Sequence, residues 1–157
     1  PEQLKTYSYT SSSFLIQLND YELTSKLLEG NYPKFNKVIP ETTSAEIIVN
    51  KSKLKNSLNI ISKVVNQQYK GVKLTPNNNS MHLISSNTDS EIGEDQIDVE
   101  YSGDEISIGF NISYLQDVID TLEGDTVVIR INDQNSGCIV QGNQDPDSTF
   151  VIMPMRV

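Results

Sequence analysis

The sequence predicts an α+β fold in which two helices pack side by side on one face of a continuous antiparallel sheet. Residues 45–101 read as strand, helix, strand, strand, strand, and residues 105–154 repeat that order about 60 residues later. Each helical segment carries an apolar stripe, Leu54, Leu58, Ile61 and Val65 in the first and Leu115, Val118, Ile119 and Leu122 in the second. The strand segments alternate apolar and polar residues, as in Ile106, Ile108 and Phe110. A unit with one apolar helix face and three half-buried strands must bury that face against a sheet, and two such units share one sheet most economically.

In chain order, residues 13–18 and 21–28 read as two strands around the turn Asn19-Asp20. Gly30-Asn31-Tyr32-Pro33 is irregular, and the polar stretch Glu41-Thr42-Thr43-Ser44 is the best candidate for a domain boundary. Ala45–Val49 is an apolar strand, and Asn50 is placed to cap a helix over 51–66. Lys51, Lys55 and Ser62 fall off its apolar stripe. Strands follow at Gly71–Thr75, Met81–Ser86 and Gln96–Tyr101, separated by Pro76-Asn77-Asn78-Asn79 and by an acidic loop at 89–95. In the second unit Glu105–Phe110 is a strand, Asn111 or Ser113 caps a helix through Leu122, and Gly124 closes it. Strands at Thr126–Ile131, Cys138–Gln141 and Thr149–Met153 complete the pattern.

The 157 residues suit one domain and a short piece of another, and a net charge of −9 argues against a nucleic-acid partner if charge is averaged over the chain. The charge is segmented, however. Residues 1–46 balance to −2, residues 47–88 contain six lysines and no Asp or Glu, and residues 89–157 balance to −13. An acid-free stretch in an acidic chain can place a local positive surface, suited to phosphates, on the lysine-bearing helix 51–66. The alternative is a solvated helix face, and the shortage of arginine and stacking aromatics leaves that alternative open.

Cys138 is the single cysteine, which excludes a disulfide framework and fits a reducing compartment. No apolar run approaches the ~20 residues of a membrane span, so a cytoplasmic location is expected, and no signal peptide is evident. The chain opens on Pro1 rather than Met, which leads us to expect that it begins inside a longer product. Catalytic constellations are hard to build. His82 alternates within a strand and reads as sheet surface; Cys138 beside Ile139 and Val140 reads as a buried inert thiol. Asp89, Glu91, Glu94 and Asp95 lack the spacing of a calcium loop, so neither metal nor cofactor is expected. The end of the chain is different: Pro154 stops strand pairing, and Met153-Pro154-Met155-Arg156 is an apolar, adaptable segment suited to a binding surface.

Five motifs in order resemble the bacterial sliding clamp, the beta subunit of DNA polymerase III. They are Gly30–Pro40, Tyr69–Leu74, Tyr101-Ser102-Gly103, Ile108–Tyr114 and Val151–Arg156. The resemblance is to the family's C-terminal part, with residues 1–40 as the tail of its second domain and 41–157 as its third. It implies a non-catalytic processivity factor, a head-to-tail homodimeric ring that surrounds duplex DNA without sequence preference, and under it Lys51, Lys55 and Lys63 are the lysines expected to face the DNA. The ring would tether the polymerase III alpha subunit, the clamp loader and repair proteins through short peptides of the Gln-Leu-x-Leu-Phe type.

Carried over residue by residue, the peptide groove would be Pro33, Lys37, Val38, Asn111, Tyr114, Val151, Ile152, Met153, Pro154, Met155 and Arg156. Arginine is common in the family at the position of Lys37, so a planar fork is replaced by a point charge. The ring interface would use Lys63 and Val64 at the end of the first helix and Ile97 and Val99 of a nearby edge strand. Asp117, Asp120 and Glu123 depart from a simple basic wall: either they avoid the pore or that wall is nearly neutral. The competing readings are a stand-alone β-rich protein-binding adaptor without DNA contact, and a hydrolase around His82 or Cys138, for which no partner base is visible.

Overall fold

A computed structural model describes residues 4–18, 20–30 and 34–157 and divides the chain into two units, Pro1–Lys34 and Phe35–Val157. In the first, β1 (Leu4–Tyr9), β2 (Ser13–Leu18) and β3 (Tyr21–Lys26) form an antiparallel meander. Strand β1 was not expected from the sequence, and β3 stops two residues short of the expected end. Tyr7, Tyr9, Tyr21 and Leu23 all stand exposed on this sheet. Asn19 and Asn31-Tyr32-Pro33 lie outside the described residues, and with them part of the predicted turn and of the irregular segment.

The second unit opens with a short 3-10 turn at Phe35–Lys37. It then runs β4 (Ala45–Asn50), α1 (Lys51–Ile61), β5 (Gly71–Asn77), β6 (Ser80–Ser86) and β7 (Ile92–Ser102). The order repeats as β8 (Ile108–Asn111), α2 (Ile112–Thr121), β9 (Thr126–Ile131), β10 (Cys138–Gly142) and β11 (Asp145–Ile152). All eight strands form one antiparallel sheet in the order β11-β10-β9-β4-β7-β6-β5-β8. The expected duplication is therefore present, and it extends to single hydrogen bonds. Asn50 and Asn111 each end a strand and cap the following helix, Asn50 accepting from Lys53 N–H and Asn111 from Ser113 and Tyr114 N–H. The first helical residue of each β-α-β-β-β repeat then donates to the residue leading into a strand of the other repeat, Lys51 N–H to Asp125 O and Ile112 N–H to Lys70 O, both at 2.8 Å.

The helices pack on the sheet through Leu54, Leu58 and Ile61 of α1 and Ile112, Leu115 and Ile119 of α2. Beneath them lie Ile47, Val49, Leu74, Met81, Leu83, Phe110, Val127 and Ile129, all essentially inaccessible to solvent. Each such side chain contributes about 1.5–3 kcal/mol of transfer free energy, which makes this layer the main support of the fold.

Three sequence expectations need correction. Helix α1 ends at Ile61 rather than 66, because Ser62 turns its hydroxyl back to Asn59 O at 2.8 Å and the next two amides make tighter bonds to Ile60 and Ile61. Val65 stays buried all the same. Strand β7 begins at Ile92, so Glu94 and Asp95 belong to a strand rather than a loop, paired opposite Ile84 and Leu83. Pro76 and Asn77 continue β5, where Pro76 is tolerated because β8 pairs only with Gly71–Leu74. Gly124, at φ +88°, follows α2 as expected, and Asn111 rather than Ser113 is the cap.

Candidate functional site

Two depressions meet at Met153. One, of about 390 Å³, is lined by Tyr114, Asp117 and Val118 of α2 and by Val151, Ile152 and Met153. The other, of about 770 Å³, takes Met153 as one wall and Lys37, Val38, Ile39, Ser136 and Gly137 as others. Periodicity explains the α2 contribution: Leu115 and Ile119 face the core, while Tyr114, Asp117 and Val118 project on the flank nearer β11. Met153, Val38 and Tyr114 are each about half exposed, at 54%, 47% and 60%, so three sizeable apolar groups are presented to solvent around one residue.

Gly137 joins the pieces. A methyl there would stand 2.7 Å from the Val38 carbonyl, 3.0 Å from Val151 Cγ1 and 3.3 Å from Met153 Sδ. The preceding loop is organised by Asp133, which accepts from Asn135 and Ser136 N–H at 2.7 and 2.8 Å and from the Ser136 hydroxyl at 2.7 Å. The Ser136 hydroxyl and these two amides hold the Asp133 carboxyl below the usual aspartate range. Pro154, Met155 and Arg156 line a third depression, of about 610 Å³, together with Lys73, Gly109 and Asn135.

The helix surface carries the lysines. Lys51 donates from Nζ to the Leu122 carbonyl at the end of α2, meeting the negative end of that helix. Lys55 pairs with Asp120 of α2 at 2.7 Å, and Gln116 donates to Asn59 Oδ1 at 2.9 Å. Lys53 pairs with Asp98 at 2.6 Å and lowers that carboxyl's pKa through its hydrogen bond and charge. Lys63, in the turn after α1, is exposed and has no ion-pair partner among the described residues.

Residues 36–156 match the family described as DNA polymerase III beta subunit, C-terminal domain. The chain belongs to this family. The beta sliding clamp of Vibrio cholerae is 31% identical over all of this chain and 43% of its own length, and that of Escherichia coli K12 is 29% identical over 94% and 40%. The chain thus spans less than half the length of the curated relatives it matches. A crystal structure of the Pseudomonas aeruginosa beta subunit superposes with a TM-score of 0.90 at 28% identity, covering 96% of this chain and 42% of the other. A Bartonella birtlesii clamp bound to griselimycin superposes equally well, at 0.90 and 29% identity, over 96% and 41%.

Within this beta-subunit domain, the groove residues named from the sequence divide into groups. Lys37, Val38, Tyr114, Val151, Ile152 and Met153 surround the two depressions at Met153, while Pro154, Met155 and Arg156 line the third. The side-chain oxygen of Asn111 is taken up by the α2 cap, leaving its amide NH₂ for other partners. Pro33 lies outside the described residues. Gly137, Asp117 and Val118 were not named beforehand. Val118 belongs to the core stripe and does pack against the core while also lining the depression, and Gly137 carries no signal except through the Val38 carbonyl it admits.

Ile97 and Val99, named for a ring interface, place their side chains in the core at 9% and 6% exposure. Strand β7 is also not a simple edge strand: Val99–Ser102 pair with β4 on one edge and Ile92–Asp98 with β6 on the other, so the β4-side edge of Ile92–Asp98 lacks a strand partner among the described residues. Val64 packs over that half, where a methyl on Gly93 would collide with it. His82 stands 3.6 Å from Glu94 on the outer sheet face, and burial pushes the Cys138 thiol up to about 12. No helix among the described residues is long and apolar enough to cross a membrane.

Proposed function

We propose that this chain is the C-terminal part of a sliding clamp, a non-catalytic, cytoplasmic processivity factor that closes as a homodimeric ring around duplex DNA. In this reading residues 41–157 are the third clamp domain and 1–40 the end of the second. Family membership supports it, as does the exposed Tyr7, Tyr9, Tyr21 and Leu23 surface of the first unit, which is what a domain deprived of its remainder presents. The comparisons do not favour a stand-alone adaptor.

The observation that carries the partner-binding role is the position of Met153, which walls two depressions at once, an apolar one beside α2 and a mixed one in which Val38 and Ile39 stand among polar residues. A short peptide with two apolar anchors would place one on each side of it, with Lys37 near the rim. Griselimycin bound to related clamps is consistent with a ligand site on this fold. The alpha subunit of the polymerase and the clamp loader would dock here through such peptides.

The DNA-facing role would fall to the outer surface of α1 and the turn after it, where Lys51 and Lys55 are engaged by α2 and Lys63 has no ion-pair partner among the described residues. A wall so neutralised holds a polyanion weakly, which suits sliding. The ring would close through the turn at Lys63-Val64 and the backbone edge of Ile92–Asp98 that has no strand partner among the described residues, an edge that would accept a strand from a second copy. Encirclement is tested with the complete protein. It should remain on nicked circular DNA through gel filtration and leave when the DNA is linearised, whereas equal loss from both forms would contradict a topological link.

A further inference from the structure

The chain does not leave the domain at Pro154. Met155 N–H donates to the Gly109 carbonyl at 2.9 Å and the two residues form an isolated antiparallel bridge, so the tail runs along the open edge of β8. There it crosses two glycines. Gly109 pairs with Lys73, and Gly71 with Asn111, which puts Gly71 and Gly109 on the same sheet face at diagonal positions. A methyl built on Gly71 would lie under 3.0 Å from Val157 Cγ1, and one on Gly109 would strike both Val157 Cγ2 and the Met155 carbonyl. Neither glycine has a positive φ. Space for the tail, not backbone freedom, is what glycine supplies at both positions.

We infer that Gly71 and Gly109 form a seat without side chains on which Val157 rests, and that they are positioning residues for the peptide groove. Seating fixes the far end of the tail, and with it the course of Met153–Arg156 between two anchors, β11 on one side and the β8 edge on the other. The inference rests on the groove reading given above and adds to it a determinant remote from the peptide.

The test uses this chain, amide hydrogen exchange at Met155, and the peptide Gln-Leu-Ser-Leu-Phe titrated by NMR. Gly71→Ala should accelerate Met155 exchange and weaken peptide binding about tenfold (about 1.4 kcal/mol). Val157→Ala added to Gly71→Ala should restore both, because Val157 Cβ lies 3.4 Å from the position of the new methyl, an ordinary contact. The same addition should not rescue Gly109→Ala, whose methyl still meets the Met155 carbonyl. Should Gly109→Ala fail to fold, the Gly71 pair carries the test alone. A chain that binds peptide in a Met153-dependent way yet ignores Gly71→Ala overturns the positioning role only. One whose Met155 exchange follows the expected pattern but which binds no peptide overturns the groove reading, and the positioning role with it.

Discussion

Lys55 of α1 and Asp120 of α2 meet at 2.7 Å across the seam between the two helices, with both side chains about half exposed. The pair couples the basic helix of the first repeat to the acidic helix of the second repeat, and Lys51, bonded to the Leu122 carbonyl, does the same one turn away. One of the acids that break the basic pattern of the sequence, Asp120, therefore ties down Lys55, while the α2 backbone holds Lys51. An exposed pair of this kind adds about 0–1 kcal/mol to stability, so its main effect is on the surface field.

That field gives the first prediction. In the complete protein, Asp120→Asn should free Lys55 and steepen the salt dependence of DNA retention by up to about 0.9 in the log–log slope per added phosphate contact. Lys63→Ala should flatten it by a similar amount. Retention on circular DNA across a salt series measures both, and identical slopes would move DNA contact off this helix.

Met153→Ala should weaken peptide binding by about 1–2 kcal/mol, as truncation of a shared groove wall does. Because Met153 is 54% exposed, the melting temperature should move little. Calorimetric titration beside a thermal melt separates the two effects.

Gly137→Ala should also weaken the peptide, by a different route. Its methyl would press on the Val38 carbonyl at 2.7 Å, a backbone atom that cannot swing away, and would crowd Met153 Sδ. Amide shifts in the variant should spread over Val38, Val151 and Met153 before any peptide is added; an unperturbed spectrum would contradict the packing described here.

The loop beside the groove sets a pH dependence. Asp133 has its carboxyl held below the ordinary aspartate range by the Ser136 hydroxyl and by two backbone amides. A depressed folded-state value means that its contribution is complete above the unfolded value and is lost as pH falls through the folded one. Peptide affinity should thus hold from neutral pH down to about 4 and fall only below it. Asp133→Ala should reproduce the loss at pH 7, and an affinity unchanged by that substitution would separate the loop from the groove.

Cys138, buried in β10 with its thiol pushed up to about 12, should resist thiol reagents at pH 8 in the folded chain and react once in denaturant. Rapid labelling of the native protein would contradict its burial.

What could be read from the sequence was what local chemistry dictates. Asn50 and Asn111 follow apolar runs and precede helical stripes, and both prove to be caps. The duplicated order was visible because each unit repeats its own periodicities. Strand β1 was missed because its apolar residues are mostly tyrosines that remain exposed, so it lacks the signal of a buried face. The start of β7 was misread because Glu94 and Asp95 resemble loop residues, although sheet pairing accommodates them beside the uncharged Ile84 and Leu83. The site divided in the same way. The Met-Pro-Met tail was legible, whereas the Lys55–Asp120 pair, the opening at Gly137 and the core positions of Ile97 and Val99 depend on residues brought together only by folding.

The most direct test of the groove at the centre of this account is an amide NMR titration of this chain with Gln-Leu-Ser-Leu-Phe, run beside Met153→Ala. The account predicts shifts confined to Lys37-Val38, Tyr114–Val118, Ser136-Gly137 and Val151–Arg156, and their weakening in the variant. A well-dispersed spectrum unmoved by millimolar peptide, or shifts centred elsewhere on the sheet, would contradict it.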